Sequence, residues 1–561
     1  MKHLLLCCIV CCTAFLSPSI AQIGSFGTMP MASKPGADPT LGPLVTNTPE
    51  YLKAREIYER LVKARGDYRL PVPTFTMRKQ RSNLALIEYK LMEITLEEDA
   101  YKVCQTFGEN ADDAVAFLLG HELTHWYEKH AWRRDFISGF ADLDVKTKLG
   151  GLEEKITNET EADCLGGFLA YSAGYGLFDK GADLIQKLYT EYGMKEEVDG
   201  YPSLTDRKKL STKTAEKMAA LVDAYEMANL LVAIGKYGEA LEYYRYILMR
   251  YQSREIYNNL GVTAFLLALN EFRPEDPRVK FRYPIQLDLE SAGAKGSGAG
   301  SARDALLRQA IQYFDMAISL DPKYAPAFLN KACTYALLGD TDEERARNAE
   351  RARYYADSEA HEIAQNANDT KTLRDINILL GILEAINGNP DKAKKLFSAA
   401  ADSSALAATN LEILEKGSAT VREREEDPFA DPEKIGGKTI AEATNKGIGL
   451  KPLPNKTTNI TLDERLIFTQ IAAPGPDSRV FVHINKNENQ KTFFHMTLPG
   501  YKGKTEKGLG AGAKREAIVA PDAYDIPIRS IQTPRGEILV YKEIIFILDA
   551  NQTLERWINY Q

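Results

Sequence analysis

Disulfide-forming cysteine is nearly absent from the body of this chain. Of 7 cysteines in 561 residues, Cys7, Cys8, Cys11 and Cys12 crowd the opening stretch, and only Cys104, Cys164 and Cys333 lie beyond it. Three scattered thiols exclude a disulfide framework and read as buried, reduced thiols; the one pair that could bridge is Cys104 with Cys164. A basic surplus is missing too: 70 lysines and arginines face 78 aspartates and glutamates, a formal charge of −8. With no long Lys/Arg cluster to neutralise phosphates, the composition argues against nucleic acid as a partner. Past the N-terminus no apolar run approaches the ~20 residues that a spanning helix needs, so no transmembrane segment is expected in the mature chain. Histidine is rare, 7 in all, so two of them at a chemically useful spacing stand out.

What is present begins with MKHLLLCCIVCCTAFLSPSIAQ. A basic start, an apolar run from Leu4 to Leu16, and Ser19 and Ala21 at the −3 and −1 positions make residues 1–21 a secretory signal peptide. The expected product is exported. Glycosylation sequons start at Asn158, Asn368, Asn455, Asn459 and Asn551. Sugar on Asn158 would crowd the site described below, so a bacterial periplasm is the expected compartment.

The balance of 44% hydrophobic and 26% charged residues over this length predicts several soluble domains. Residues 22–46, rich in Gly, Pro, Ser and Thr, read as a flexible leader. Residues 47–215 mix a helix (Glu50–Ala64), strands near Pro73–Met77 and Leu84–Tyr89, and longer helices, an α+β pattern. Residues 216–416 are helical with a recurring small–aromatic pattern: Ala240, Tyr244 and Ile247, then Ala310, Phe314 and Ala317, then Ala393, Phe397 and Ala400. Ala228, Gly261, Ala332 and Gly381 recur in the preceding helices. That is the pattern of tetratricopeptide repeats, scaffolds that bind other proteins. An insertion at 270–301 interrupts the array, and its RYPIQLDL segment is extended and partly alternating. It is expected to pair with a sheet edge near the catalytic site and regulate access to it. A linker at 417–475 leads to a small strand-rich domain at 476–561, marked by alternation in VFVHI, ILVY and IIFI. Its GLGAGAK lacks the Ser or Thr of a phosphate loop and reads as a loop between strands. The fold class is therefore multidomain and mainly α.

The chemistry lies in HELTH. Its four-residue spacing puts His121 and His125 on one helical face, where both imidazoles can reach one Zn2+. Glu122 projects beside them, placed to accept a proton from water at the metal. Downstream, NETEAD opens an apolar helix. Glu159 is the expected third ligand, and Asp163, one turn on, is expected to hold a ring N–H of a ligand histidine. Glu161 points away from Glu159 and reads as a solvated or structural carboxylate.

At these residues the chain resembles the zinc peptidase family of the CaaX prenyl proteases and HtpX-type proteases, a branch of the gluzincins. The resemblance covers roughly 49–215 and rests on Asn83-Leu-Ala85, HELTH, Glu-x-x-x-Asp and Tyr201-Pro-Ser-Leu-Thr-Asp-Arg207. The family usually has histidine where Tyr201 stands. It implies a gluzincin-type metallopeptidase domain, one zinc ion per chain, and Tyr201 and Arg207 as donors to the transition state. Membrane-spanning members are set aside by hydropathy, which leaves the exported subgroup that carries tetratricopeptide repeats. The expected function is a zinc metalloendopeptidase in envelope protein quality control, its repeats binding protein substrates or envelope partners. The alternative is a periplasmic repeat-based binding or chaperone scaffold with a secondary or inactive protease domain.

Overall fold

The computed structural model describes residues 42–89, 91–130, 151–176, 180–195, 203–287, 300–418, 432–445, 460–462, 466–471, 477–498, 500–525, 527–533 and 536–561. The signal-peptide segment and most of the leader lie outside them. Among the described residues no helix is long and apolar enough to cross a membrane.

Among the described residues, regular structure already occurs inside the expected leader. Strand β1 (Leu44–Val45) pairs antiparallel with β2 (Thr74–Arg78), giving the end of the leader a backbone partner. Helix α1 (Pro49–Arg65) lies between them. The Thr48 side chain accepts a hydrogen bond from the Tyr51 N–H, Pro49 fills the first turn, and Gly66 closes the helix in the left-handed region at φ 54°. β3 (Ala85–Glu88) and β4 (Glu93–Glu97) complete a sheet of order β1-β2-β4-β3, in which β2 and β4 run parallel and the other pairs antiparallel. β3 is thus the last strand. Helix α2 (Glu98–Gln105) leads to α3 (Ala111–Tyr127), which is buried nearly all round, as expected of a core helix rather than an amphipathic surface one.

Helix α4 (Gly151–Ser172) packs along α3, and α5 (Gly181–Tyr192) is braced by α6 (Leu204–Ala233). α6 is continuous through residues 215 and 216, so no break in the chain separates the catalytic-type region from the repeats. Its N-terminus is capped by Ser203, whose hydroxyl accepts from the Asp206 N–H.

The array continues as α7 (Tyr237–Leu248), α8 (Arg254–Leu269), α9 (Gly300–Leu320), α10 (Ala325–Leu337) and α11 (Asp342–Arg353), then a π-helical stretch at Tyr354–Ala360 running into α12 (His361–Asn366). α13 (Thr370–Ile386), α14 (Pro390–Ala401) and α15 (Ala405–Lys416) follow. The small residues act as the repeat pattern requires. A Cβ on Gly261 would lie 2.4 Å from the Phe314 ring and one on Gly381 would lie 2.6 Å from the Phe397 ring. The glycine of one helix is the seat for the aromatic of the next.

The C-terminal domain is an eight-stranded antiparallel sheet among the described residues. It starts earlier than the expected 476. Ile460–Thr461 and Leu466–Ile471 supply its first strands, and a hairpin at Lys434–Ile435 and Lys438–Thr439 precedes it, so part of the expected linker is regular structure. Strand Ser478–Asn485 presents His483 to α7, where Tyr243 Oη and His483 Nδ1 are 2.8 Å apart. The GLGAGAK stretch is a turn-rich connection, as expected. Cys104, Cys164 and Cys333 are all free thiols, as expected, and Cys104 does not bridge to Cys164.

The insertion departs furthest from expectation. Residues 281–287 do not lie along the β-sheet. They run extended through the repeat array, hydrogen-bonded to side chains of α8, α10, α13 and α15.

Candidate metal centre

Two glycines bring the site together. A Cβ on Gly120 of α3 would meet the Gly166 carbonyl oxygen of α4 at 2.5 Å, and one on Gly166 would meet the His121 nitrogen at 2.6 Å. Only a side chain of hydrogen lets these backbones approach so closely. The consequence is that Glu159, two turns before Gly166, reaches the histidines of α3.

His121, His125 and Glu159 form the group of potential metal ligands among the described residues, with ligand atoms all within 4.8 Å of one another. The two Nε2 atoms are 3.1 Å apart. Glu159 Oε2 is 3.5 Å from His121 Nε2, and Oε1 is 3.3 Å from His125 Nε2. Outward-facing atoms are engaged elsewhere. His121 Nδ1 is 2.7 Å from Asp163 Oδ1, and His125 Nδ1 is 2.7 Å from His130 Nδ1. With each Nδ1–H donated outward, both Nε2 lone pairs face inward, and Glu159 Oε1 is buried there without a hydrogen-bond partner. Two lone pairs and a carboxylate oxygen facing each other in a dry space is unfavourable without a cation. Two neutral imidazoles and one carboxylate are the donor set of a catalytic zinc site, so the residues fit that ion.

Without an ion, the same carboxylates draw positive charge onto the histidines as protons. Burial works against a charged His121, but the Asp163 and Glu159 carboxylates outweigh it and hold its pKa well above the usual range. Burial would raise Glu159, yet the neighbouring His125 and His121 hold it at about 2. Burial pushes Glu122 up to about 7, against the opposing pull of His121. Its carboxylate accepts from the Ile87 N–H at 2.9 Å, which anchors Glu122 to β3. A carboxyl poised near neutrality can both take and return a proton.

Arg207 is buried beside this cluster. Its Nη1 is 3.5 Å from Tyr189 Oη, and its charge helps lower the Glu159 pKa. Tyr201 lies outside the described residues. Asn83 is anchored next to β3, its N–H donating to Glu97 Oε1 at 2.7 Å.

Sequence reasoning passed over His130 and left Glu161 as either a solvated or a structural carboxylate. α3 ends at Tyr127, and Lys129, at φ 56°, turns the chain so that His130 swings back under His125. His130 Nε2 then lies 3.3 Å from Glu161 Oε2. Glu161 is therefore not merely solvated. It completes a Glu161–His130–His125 chain that mirrors the Asp163–His121 pair. The available signal was the histidine following HELTH by five residues.

Residues 313–346 match the family model of the tetratricopeptide repeat. That match runs from the end of α9 through α10 into the start of α11, and repeats of this class mediate protein–protein interaction. No curated protein matches the chain.

Proposed function

We propose that the chain is an exported zinc metalloendopeptidase of the periplasm, with a gluzincin-type domain that hydrolyses peptide bonds of misfolded or assembling envelope proteins recruited through its repeats. The observation that carries this reading is the convergence of His121 Nε2, His125 Nε2 and the unpartnered Glu159 oxygen beside a glutamate with a pKa near 7. Support for the domain assignment comes from HELTH and Glu-x-x-x-Asp falling on two helices that meet at a glycine pair.

His121, His125 and Glu159 would hold the ion, which when bound supplies Lewis acidity to a scissile carbonyl and to water. Asp163 and His130 fix the tautomers of the two histidines, so that neither ring can rotate its lone pair away. Glu122 accepts a proton from the attacking water and delivers it to the departing amine. The Ile87 N–H holds the Glu122 carboxylate in place for both transfers. Because Ile87 lies on the last strand of its sheet, an extended peptide aligned along β3 would pass directly beside that carboxylate. Arg207 and Tyr201 are proposed to donate to the developing oxyanion. Asn158 is buried next to Glu159, leaving no room for a glycan and favouring the bacterial compartment.

The deciding experiment compares wild type and Glu122→Gln for cleavage of an unfolded protein, with zinc measured in both. Cleavage by wild type alone with equal zinc supports the reading; zinc in both and cleavage by neither leaves the repeat-based scaffold as the function.

A further inference from the structure

Between α8 and α15 the array holds a strand that has no sheet. Asn410 Oδ1 accepts from the Arg282 N–H at 2.8 Å while its Nδ2 donates to the Arg282 carbonyl at 2.8 Å. Four residues on, Asn330 repeats the arrangement, with Oδ1 accepting from the Gln286 N–H at 2.7 Å and Nδ2 donating to the Gln286 carbonyl at 2.6 Å. Asn258 Nδ2 adds a second bond to that carbonyl at 3.0 Å. Successive residues of an extended chain turn their N–H and C=O to opposite sides, so residues four apart present theirs on the same side. Two fixed carboxamides at that spacing read the backbone as a neighbouring strand would, whatever the side chains.

Side chains enter only through pockets. Phe281 packs on Phe397 with ring centroids 6.0 Å apart, and Tyr283 packs edge-on against Phe265, also at 6.0 Å. Between these pockets the side chain of Arg282 points to solvent. The Gln286 side chain donates to Asp375 Oδ2 at 2.8 Å. Asn258, Asn330 and Asn410 are fully buried. Three buried carboxamides that hydrogen-bond to each other and to this segment are an arrangement for gripping a polypeptide.

We propose that the groove formed by α8, α10, α13 and α15 is a binding site for an extended polypeptide with aromatic residues two apart, and that residues 281–287 are its resident occupant, held in cis. The incoming partner is a second, unfolded polypeptide segment that displaces them. Tethering gives the resident an effective concentration of ~mM, so the groove of the wild-type chain is closed to weak competitors. The inference rests on the repeat array alone and is independent of the zinc reading.

The test uses the full chain carrying Phe281→Ala, Tyr283→Ala and Gln286→Ala, which weakens the resident and leaves the groove intact. A fluorescein-labelled peptide with the sequence of residues 279–287 should bind this variant at least ~10-fold more tightly than wild type. Adding Asn330→Ala and Asn410→Ala should abolish that binding. The same peptide with Phe in place of Tyr283 should bind more tightly still, because the Tyr283 hydroxyl is buried without a partner. A triple variant with wild-type circular dichroism and cooperative melting that binds the peptide no better than wild type overturns the proposal. Should that variant fail to fold, hydrogen exchange on the wild-type chain decides. Arg282 and Gln286 amides that open while α8 and α10 stay protected support a displaceable occupant, and exchange of all of them only with unfolding of the whole array overturns it.

Discussion

Two regions of this molecule bury polar side chains, and they treat them in opposite ways. Around HELTH, His121, His125 and Glu159 turn their acceptor atoms on one another, and an oxygen of Glu159 is left without a hydrogen-bond donor. In the repeat array, Asn330 and Asn410 are buried as deeply, yet each has both its donor and its acceptor matched by the chain's own backbone. The first arrangement fits a cation; the second is already filled by the chain's own backbone.

The sharpest way to break that contrast is to change the carboxylates of the first region. Glu122→Gln should lower proteolysis by roughly 10²–10⁴-fold and leave bound zinc unchanged, as read by peptide turnover and metal analysis. Glu159→Gln should strip zinc on dialysis against a weak chelator. Smaller losses in zinc affinity, at most about 10–100-fold, are expected for Asp163→Asn, which removes the anchor of His121, and for Glu161→Gln, which removes the anchor of His130 behind His125. Glu161→Gln with wild-type affinity would show that His130 orients His125 unaided.

A pH dependence sharpens the contrast from a third direction. His495 is fully buried in the C-terminal sheet with neither ring nitrogen hydrogen-bonded, and burial lowers its pKa to about 4. Above the unfolded value of ~6.5 both states hold a neutral ring and it contributes no pH dependence. As pH falls from about 6.5 to 4 the unfolded chain takes up a proton that the folded chain refuses, so stability should fall by about 3 kcal/mol and then level off. Urea unfolding of His495→Leu at pH 7 and pH 4 should lack that loss.

Smallest is the packing of the repeats. Gly261→Ala should cost roughly 1–3 kcal/mol in thermal or urea unfolding, since its methyl carbon would fall within the Phe314 ring contact. A neutral result would mean that Phe314 can shift without loss.

Much of this was legible in the sequence. The four-residue spacing of His121 and His125 is a local property of a helix, and Glu159 and Asp163 follow from one face of another. The small–aromatic alternation of the repeats is periodic, and so were the strand boundaries near Thr74 and Ala85. Long-range placement was not legible. Nothing in the order of residues says that Lys129 adopts a positive φ and returns His130 to His125, or that Glu161 then meets it. The expectation that 281–287 would lie at a sheet edge read its extended form correctly and its partner wrongly, because an extended backbone can be paired by side-chain carboxamides as well as by a strand.

What the sequence determined by itself was therefore whatever depends on neighbours a turn or a repeat away: helix faces, caps at Thr48 and Ser203, and the seats for Phe314 and Phe397. Tertiary structure alone decided which buried polar groups meet. Glu159 joins the histidines because Gly120 and Gly166 let two helices touch, and Asn410 closes on Arg282 across more than a hundred residues of chain. Hydrogen bonds and charges act over a few ångströms, whatever the distance along the chain, so only the folded backbone can say which of them form.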